Sequence, residues 1–240
     1  LLRKGKQASV IVPNYYADFL KWMHDADKII QFDRHRALSK TYFKSADLIV
    51  ALDYNGLSRI DDMRVPFGYS RCKKLMIDHH ENPEKICTLQ ISRPEMSSTC
   101  ELLYRLLVAL GEEKNINLHC AEDIYAGMCT DTGRFTYNSN DPEIFEIIAG
   151  LMRKGIDKED AEEAAEEARQ VALQGGEEGG VEAPEIHGHQ SIGRNDIAYI
   201  MDKGEFRKFI ETFGTIERES QKNGGGLKVR CRAESKKMLD

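Results

Sequence analysis

Two short apolar runs, each followed at once by an aspartate, constrain what this 240-residue chain can fold into. ADLIVALDYN (46–55) and KKLMIDHH (73–80) have the length and composition of buried strands that end in polar residues. Amphipathic stretches separate such runs along the first half of the sequence, which is the pattern of βα units. The pattern predicts an α/β fold: a mostly parallel sheet flanked by helices, with a second, smaller α/β domain.

The segment SSTCELLYRLLVALG (97–111) is the best-delimited helix of the sequence. It has a Ser/Thr N-cap, a glutamate near its start, leucines at helical spacing and a terminal glycine. The same kinds of signal predict the other elements. Further strands are expected at 9–13, 196–202 and 227–233, and further helices at 18–23, 120–135 with a turn at its end, 142–155, 157–174 and 204–214.

The composition changes after residue 156. Residues 157–174 are rich in Ala and Glu, and GGEEGGVEAPE (175–185) combines glycines with acidic charge, as in a flexible linker. We therefore predict a first domain at 1–156, a helical and flexible connector at 157–185 and a second domain at 186–240.

Charge and cysteine content limit the function. A net charge of −6 argues against a generally basic surface that coats nucleic acid, so a polyanionic substrate would need a local basic patch or a metal ion. The six cysteines form no CxxC pair, which indicates reduced thiols. The sequence has no apolar stretch of about 18 residues and no signal-peptide pattern. We therefore expect a cytoplasmic location and no membrane partner.

Hard ligands follow the predicted strands. Asp53 comes after LIVAL, Asp78, His79 and His80 come after KLMI, and Asp131 lies in a predicted TDTG turn. In an open α/β sheet, ligands bind just outside the carboxyl ends of the strands. Carboxylates with imidazoles suit Mn²⁺ or a similar divalent cation, and a pair of such ions can promote hydrolysis of phosphate esters.

Each of these residues also has a structural interpretation. An aspartate at a strand end is most often a turn residue or a helix cap, and a single histidine most often makes a structural hydrogen bond. The ordered set ALDYN, IDHHENP and TDTGRF favours a site, because all three segments fall at predicted strand ends or tight turns.

Four segments together resemble one known family. VIVPNYYADFLKWM, ADLIVALDYNGLSRI, MIDHHENP and GMCTDTGRFTYNS are similar to the nano-RNase and pAp-phosphatase branch of the DHH phosphoesterase superfamily. The resemblance spans residues 9–156 and implies that 1–156 is a DHH domain. NDIAYIMDKGEF and GGLKVRCRAESK resemble, more faintly, strands of the DHH-associated C-terminal domain, so 186–240 is interpreted as part of that substrate-binding domain.

The resemblance implies a role for each matched residue. Two Mn²⁺ ions would lie between the domains, with Asp53 bridging them and His79 and Asp131 completing one metal site. His80 would contact the scissile phosphate or its neighbouring ligands, and Asp78 would orient a histidine.

The implied activity is manganese-dependent hydrolysis. The enzyme would degrade very short RNA oligonucleotides to mononucleotides and dephosphorylate 3′-phosphoadenosine 5′-phosphate (pAp). Arg134, Arg230 and Arg232 are candidates for substrate binding, with surface ion pairs as their alternative role. His187 and His189 have the alternate spacing of a metal site, but the adjacent linker disfavours one. A homodimer is left open as the assembly.

Two family elements have no counterpart in the sequence. The family has an Asp-x-Asp element after an N-terminal strand and a Gly-Gly-Gly-His motif, whereas here GGG (224–226) precedes Leu227. We therefore expect that one metal site is half built, with one ion or none bound. A catalytically inactive nucleotide-binding or structural module is the first alternative, and a linear or cyclic dinucleotide phosphodiesterase is the second.

Overall fold

The structure of the protein is a computed structural model that describes residues 1, 5–16, 18–159, 162, 163, 166 and the backbone of 197–200. Its centre is a six-stranded sheet in the order β2-β1-β6-β3-β4-β5. The β1–β2, β3–β4 and β4–β5 pairs are parallel, whereas β6 is antiparallel to both β1 and β3. The predicted α/β fold with a mostly parallel sheet is therefore confirmed. The strands are β1 (Ile11–Val12), β2 (Ile30–Gln31), β3 (Leu48–Leu52), β4 (Lys73–Asp78), β5 (Leu89–Ser92) and β6 (Ile197–Ile200).

Five α-helices flank this sheet within the described residues. Short 3-10 segments lie at Asp18–Leu20, Ala26–Lys28, Leu57–Met63 and Glu113–Asn115. None of the described helices is both long enough and apolar enough to cross a lipid bilayer. The α-helices are α1 (Arg36–Ser45), α2 (Arg64–Tyr69), α3 (Thr99–Ala109), α4 (Leu118–Asp131) and α5 (Pro142–Met152).

The sheet is buried on both faces, because alternate residues of β3 belong to different core clusters. Leu48, Val50 and Leu52 pack in a cluster with Leu102 and Leu106 of α3. The intervening β3 residues, Ile49 and Ala51, pack with Phe43 of α1 and Phe67 of α2. Burial on both faces explains why the strands are continuous apolar runs in the sequence.

Helix α3 begins at the carboxyl edge of the sheet and is capped as predicted. The Ser98 hydroxyl oxygen accepts a hydrogen bond from the Glu101 backbone N–H at 3.0 Å, and a carboxylate oxygen of Glu101 accepts one from the Ser97 N–H at 2.8 Å. Helix α4 packs on α3, with Gly127 against Cys100. These contacts hold the start of α3 and the end of α4 near each other.

Two predicted elements differ from the structure. The helix expected at 18–23 is only a 3-10 turn, Asp18–Leu20. The helix expected at 120–135 ends at Asp131, so this aspartate closes α4 and does not lie in the turn. Backbone geometry explains that end, because Gly133, Arg134 and Phe135 all have positive φ angles (53°, 58° and 59°), which a right-handed helix cannot contain.

The predicted strand at 196–202 is confirmed in its backbone as β6. Its four residues pair with β1 and β3 inside the sheet of the predicted first domain. Most of the predicted connector, and the elements expected at 204–214 and 227–233, lie outside the described residues. The division into domains therefore stays a prediction.

Candidate metal centre

Three elements bring the predicted site residues together at the carboxyl edge of the sheet. Asp53 follows β3, Asp78 ends β4 with His79 and His80 directly after it, and Asp131 ends α4. The Nε2 atom of His79 lies 3.8 Å from Oδ1 of Asp53 and 3.6 Å from Oδ2 of Asp131. One ligand atom from each of Asp53, His79 and His80 lies within 4.8 Å of the other two.

Asp53 reaches this cluster through an unusual backbone conformation. Its φ angle is +63°, in the left-handed region that costs a non-glycine residue about 1–2 kcal/mol. The conformation interrupts the side-chain alternation of β3, and the Thr99 hydroxyl at the start of α3 donates a hydrogen bond to Oδ1 of Asp53 at 2.7 Å. Strain at the end of a strand therefore serves to aim a carboxylate at His79.

Asp78 holds His80 at two points. Oδ1 of Asp78 lies 2.7 Å from Nδ1 of His80, and Oδ2 accepts a hydrogen bond from the His80 backbone N–H at 3.0 Å. The Asp78 side chain is completely buried. The rings of His79 and His80 meet edge to face, with centroids 4.8 Å apart. This geometry gives Asp78 the position of a residue that orients a histidine.

The imidazole of His79 is the side chain that most clearly indicates a cation site. Its residue is 8% exposed, and Nδ1 lies 3.3 Å from the carbonyl oxygen of Met96, which accepts the ring N–H. Nε2 is buried and has no hydrogen-bond partner, although two carboxylates face it. A buried nitrogen lone pair beside two carboxylates is a suitable environment for a cation.

Burial shifts the protonation of the same residues. Burial raises the pKa of Asp53, an effect that the hydrogen bond from Thr99 opposes. Burial also raises the pKa of Asp131 well above its ordinary value, and the neighbouring carboxylate of Asp53 adds to the effect. Burial lowers the pKa of His79. All three shifts favour uncharged side chains, and a bound cation would favour the ionised carboxylates and the neutral imidazole.

The residues present therefore fit a divalent cation. Carboxylate oxygens and imidazole nitrogens are donors that Mn²⁺ and related first-row ions accept in proteins. Among the described residues, this cluster alone brings three such side chains close enough to hold a metal ion: Asp53, His79 and His80 lie together, and Asp131 adjoins them 3.6 Å from His79.

The predicted substrate-binding arginines have different outcomes. Arg134 is exposed, and its guanidinium lies 3.2 Å from a carboxylate oxygen of Glu162, so in the structure it makes a surface ion pair. Arg230 and Arg232 lie outside the described residues, as do His187 and His189.

Two groups of the site were not anticipated from the sequence. Thr99 binds Asp53, and the carbonyl oxygen of Met96 accepts from His79. A Ser/Thr segment that opens a helix beside the carboxyl edge of a sheet is the signal that could have identified Thr99. A backbone carbonyl carries no such signal, since every residue has one.

The chain is similar to several known proteins. The chain is 33% identical over 108 residues to the bifunctional oligoribonuclease and PAP phosphatase NrnA of Bacillus subtilis. This match covers 44% of this chain and 33% of that protein. It is 28% identical over 151 residues to the probable bifunctional oligoribonuclease and PAP phosphatase NrnA of Streptococcus mutans, covering 63% of this chain and 44% of that protein. The chain thus spans a third to just under a half of the length of these two relatives.

A solved structure and a family pattern extend the likeness. The crystal structure of an exopolyphosphatase-related protein from Bacteroides fragilis is 29% identical, with a TM-score of 0.64, and the match covers 88% of this chain and 82% of that one. The pattern described as "DHH family, N-terminal domain" matches residues 2–128, which is more than half of the chain. The match includes Asp53, Asp78, His79 and His80, and on this basis the chain belongs to the DHH family.

Proposed function

We propose that this protein is a manganese-dependent phosphohydrolase that degrades very short oligoribonucleotides to mononucleotides and dephosphorylates pAp. The observation that carries the proposal is the buried, unpartnered Nε2 of His79 between the carboxylates of Asp53 and Asp131. The likeness to the two NrnA relatives supports the choice of substrates, because their names describe them as oligoribonucleases and PAP phosphatases.

Asp53, His79 and Asp131 would hold the metal. When bound there, a divalent ion supplies Lewis-acid polarisation of a phosphoryl oxygen and activation of water. The protein contributes burial, because the side chains of His79 and Asp131 are largely withdrawn from solvent. Burial excludes competing water and strengthens the attraction between the ion and its ligands.

His80 would act on the phosphate itself. The carboxylate of Asp78 accepts from Nδ1 of His80 and so favours the tautomer that has its proton on Nδ1. With Nδ1 held by Asp78, Nε2 is the ring nitrogen of His80 that would face the phosphate. Asp78 is therefore a positioning residue in this proposal, and His80 is the residue that touches substrate.

The proposal includes a cytoplasmic location. Within the described region, Cys72, Cys87, Cys100 and Cys129 have free thiols. Free thiols in this number are ordinary in a reducing compartment and unusual in secreted proteins.

The test combines binding and turnover on the same samples. Mn²⁺ binding is titrated by calorimetry, and phosphate release from pAp and cleavage of a labelled dinucleotide are measured in parallel, for the parent and for Asp53→Ala. Asp47→Ala is the matched control, because Asp47 is exposed and precedes β3 at the opposite edge of the sheet. We expect manganese-dependent turnover that is lost in Asp53→Ala and kept in Asp47→Ala.

Other outcomes would select an alternative. Nucleotide binding without turnover would support an inactive nucleotide-binding module. Cleavage of linear or cyclic dinucleotides without phosphate release from pAp would support a dinucleotide phosphodiesterase. Equal turnover in Asp53→Ala and the parent would refute the site.

A further inference from the structure

Arg93 carries a largely buried charge whose one ion pair among the described residues is a long contact to an exposed carboxylate. Its side chain is only 15% exposed, and its Nη2 atom is buried without a hydrogen-bond partner. The nearest carboxylate, Glu95, lies 3.8 Å from Nε and is itself 61% exposed. A contact of that length to a solvated carboxylate satisfies little of a guanidinium with five N–H donors.

The position of Arg93 places it beside the candidate metal centre. Strand β5 ends at Ser92, which pairs with Asp78 at the end of β4. The ladder continues for one more bond, because the Arg93 backbone N–H donates to the carbonyl oxygen of Asp78 at 2.9 Å. Arg93 and His79 are therefore neighbours in register at the carboxyl edge, where the ligands of α/β proteins bind.

Side-chain alternation places both residues on one face of the sheet. Leu89 and Ile91 of β5 and Leu75 and Ile77 of β4 belong to the same core cluster. Side chains two residues apart along a strand lie on the same face of the sheet. Arg93 is two residues after Ile91 and His79 is two after Ile77, so both extend this face.

The carboxylates of the metal centre do not neutralise this charge. Among the described residues, Arg93 forms its one ion pair with Glu95 and none with Asp53, Asp78 or Asp131. A buried cation that keeps unpaired donors beside a row of carboxylates is destabilising unless another anion meets it.

We propose that Arg93 forms an anion-binding subsite that receives a phosphate group of the substrate next to the DHH segment. The planar guanidinium matches two oxygens of a phosphate, and such a contact would give Nη2 the partner that it lacks. The inference deepens the proposed function and rests on it only for the identity of the phosphate compound.

The test measures anion binding without metal or turnover. Inorganic phosphate and pAp are titrated in EDTA by calorimetry and by thermal unfolding, using the parent, Arg93→Met and Arg93→Lys. Methionine keeps much of the apolar length of arginine and removes the charge. Lysine keeps a positive charge but lacks the planar guanidinium with its paired N–H donors. Arg71→Met is the control, because Arg71 is exposed and lies before β4 at the opposite edge of the sheet.

We expect Arg93→Met to weaken phosphate binding by about ten- to a hundred-fold, the range for loss of a charged hydrogen bond. Arg93→Lys should lie between the parent and Arg93→Met, and Arg71→Met should bind phosphate as the parent does. Without added anion, Arg93→Met should unfold at the same temperature as the parent or higher, because it removes a buried charge that lacks full pairing.

Two results of these titrations would overturn the subsite. One is equal phosphate affinity in the parent and in Arg93→Met. The other is a lower unfolding temperature of Arg93→Met without anion, which would indicate a structural role for the arginine. A different result would refute the proposed function and keep the subsite: phosphate binding that depends on Arg93, with no cleavage of pAp by the parent. Conversely, turnover of pAp with an unchanged KM in Arg93→Met would retain the function and refute the subsite.

Discussion

Oδ1 of Asp78 lies 2.7 Å from Nδ1 of His80, and the other carboxylate oxygen binds the backbone N–H of the same histidine. Both hydrogen bonds of a fully buried carboxylate thus go to a residue two positions along the chain. Asp78 therefore helps to orient His80 from within the same segment of chain, and Oδ1 of Asp53 lies 4.0 Å from the same ring nitrogen.

The first prediction concerns this pair. Asp78→Asn keeps the shape of the side chain and removes its negative charge, so His80 loses the carboxylate that holds its Nδ1. We expect kcat for pAp to fall about 10- to 100-fold, the usual effect of removing a partner that orients a site histidine. Steady-state kinetics measure this, with Asp47→Asn as the control. A parental kcat in Asp78→Asn would contradict the positioning role.

The second prediction concerns the metal ligands. Asp53→Ala and His79→Ala each remove a donor from the cluster, and His187→Ala removes a histidine that the proposed site does not use. We expect the first two variants to lose metal-dependent turnover, by at least about 100-fold, and to bind Mn²⁺ more weakly. His187→Ala should match the parent in both assays. Calorimetry measures Mn²⁺ binding, and phosphate release measures turnover. Manganese-dependent turnover at the parental rate in either ligand variant would refute the assignment of Asp53 and His79 as metal ligands.

The third prediction concerns the packing behind the site. A Cβ atom at Gly127 would lie 2.2 Å from Sγ and 3.0 Å from Cβ of Cys100, so Gly127→Ala forces α3 and α4 apart. We expect the free energy of unfolding to fall by about 1–3 kcal/mol despite the better helix propensity of alanine. Urea unfolding measures it.

A double-mutant cycle isolates the cause of that loss. Adding Cys100→Ala removes the sulfur and should restore part of the stability. Gly68→Ala, in α2, is the control because a Cβ there meets nothing within 4 Å. Additive effects of Gly127→Ala and Cys100→Ala would mean that the two residues do not clash.

The fourth prediction is a pH dependence away from the site. Burial raises the pKa of Asp123 to about 7, with Glu122 and Asp25 adding to the rise and His119 opposing it. Because the folded pKa exceeds the unfolded value of 3.8, the folded protein binds more protons between about pH 4 and pH 7. Stability due to Asp123 is therefore complete below pH 4 and is lost as the pH rises to about 7.

Asp123→Asn removes this dependence. We expect the variant to equal the parent near pH 4 and to be more stable at pH 8 by about 1–3 kcal/mol, a range that allows for solvent screening of a half-buried group. Urea unfolding at several pH values measures the difference. A stability difference that does not change with pH would contradict the raised pKa.

Local features of the sequence predicted the fold class and several elements correctly. The apolar runs that became β3 and β4, the capped helix α3 and the strand β6 depend on side chains within a few residues of each other. By contrast, β5 and β2 were not predicted, because LQIS and IQ mix apolar and polar residues over too few positions to show a period, whereas IAYI of β6 is a continuous apolar run.

The primary structure is sufficient to predict the ordered set of Asp53, the Asp-His-His segment and Asp131, and the adjacency that lets Asp78 bind His80. Tertiary structure alone decided that Asp131 ends a helix facing His79, that Thr99 binds Asp53 from 46 residues away, and that Arg93 is buried beside the site. The reason is the separation along the chain between the residues that interact. A hydrogen bond between near neighbours needs only the local backbone, whereas these contacts exist because α3 and α4 pack together at the carboxyl edge of the sheet.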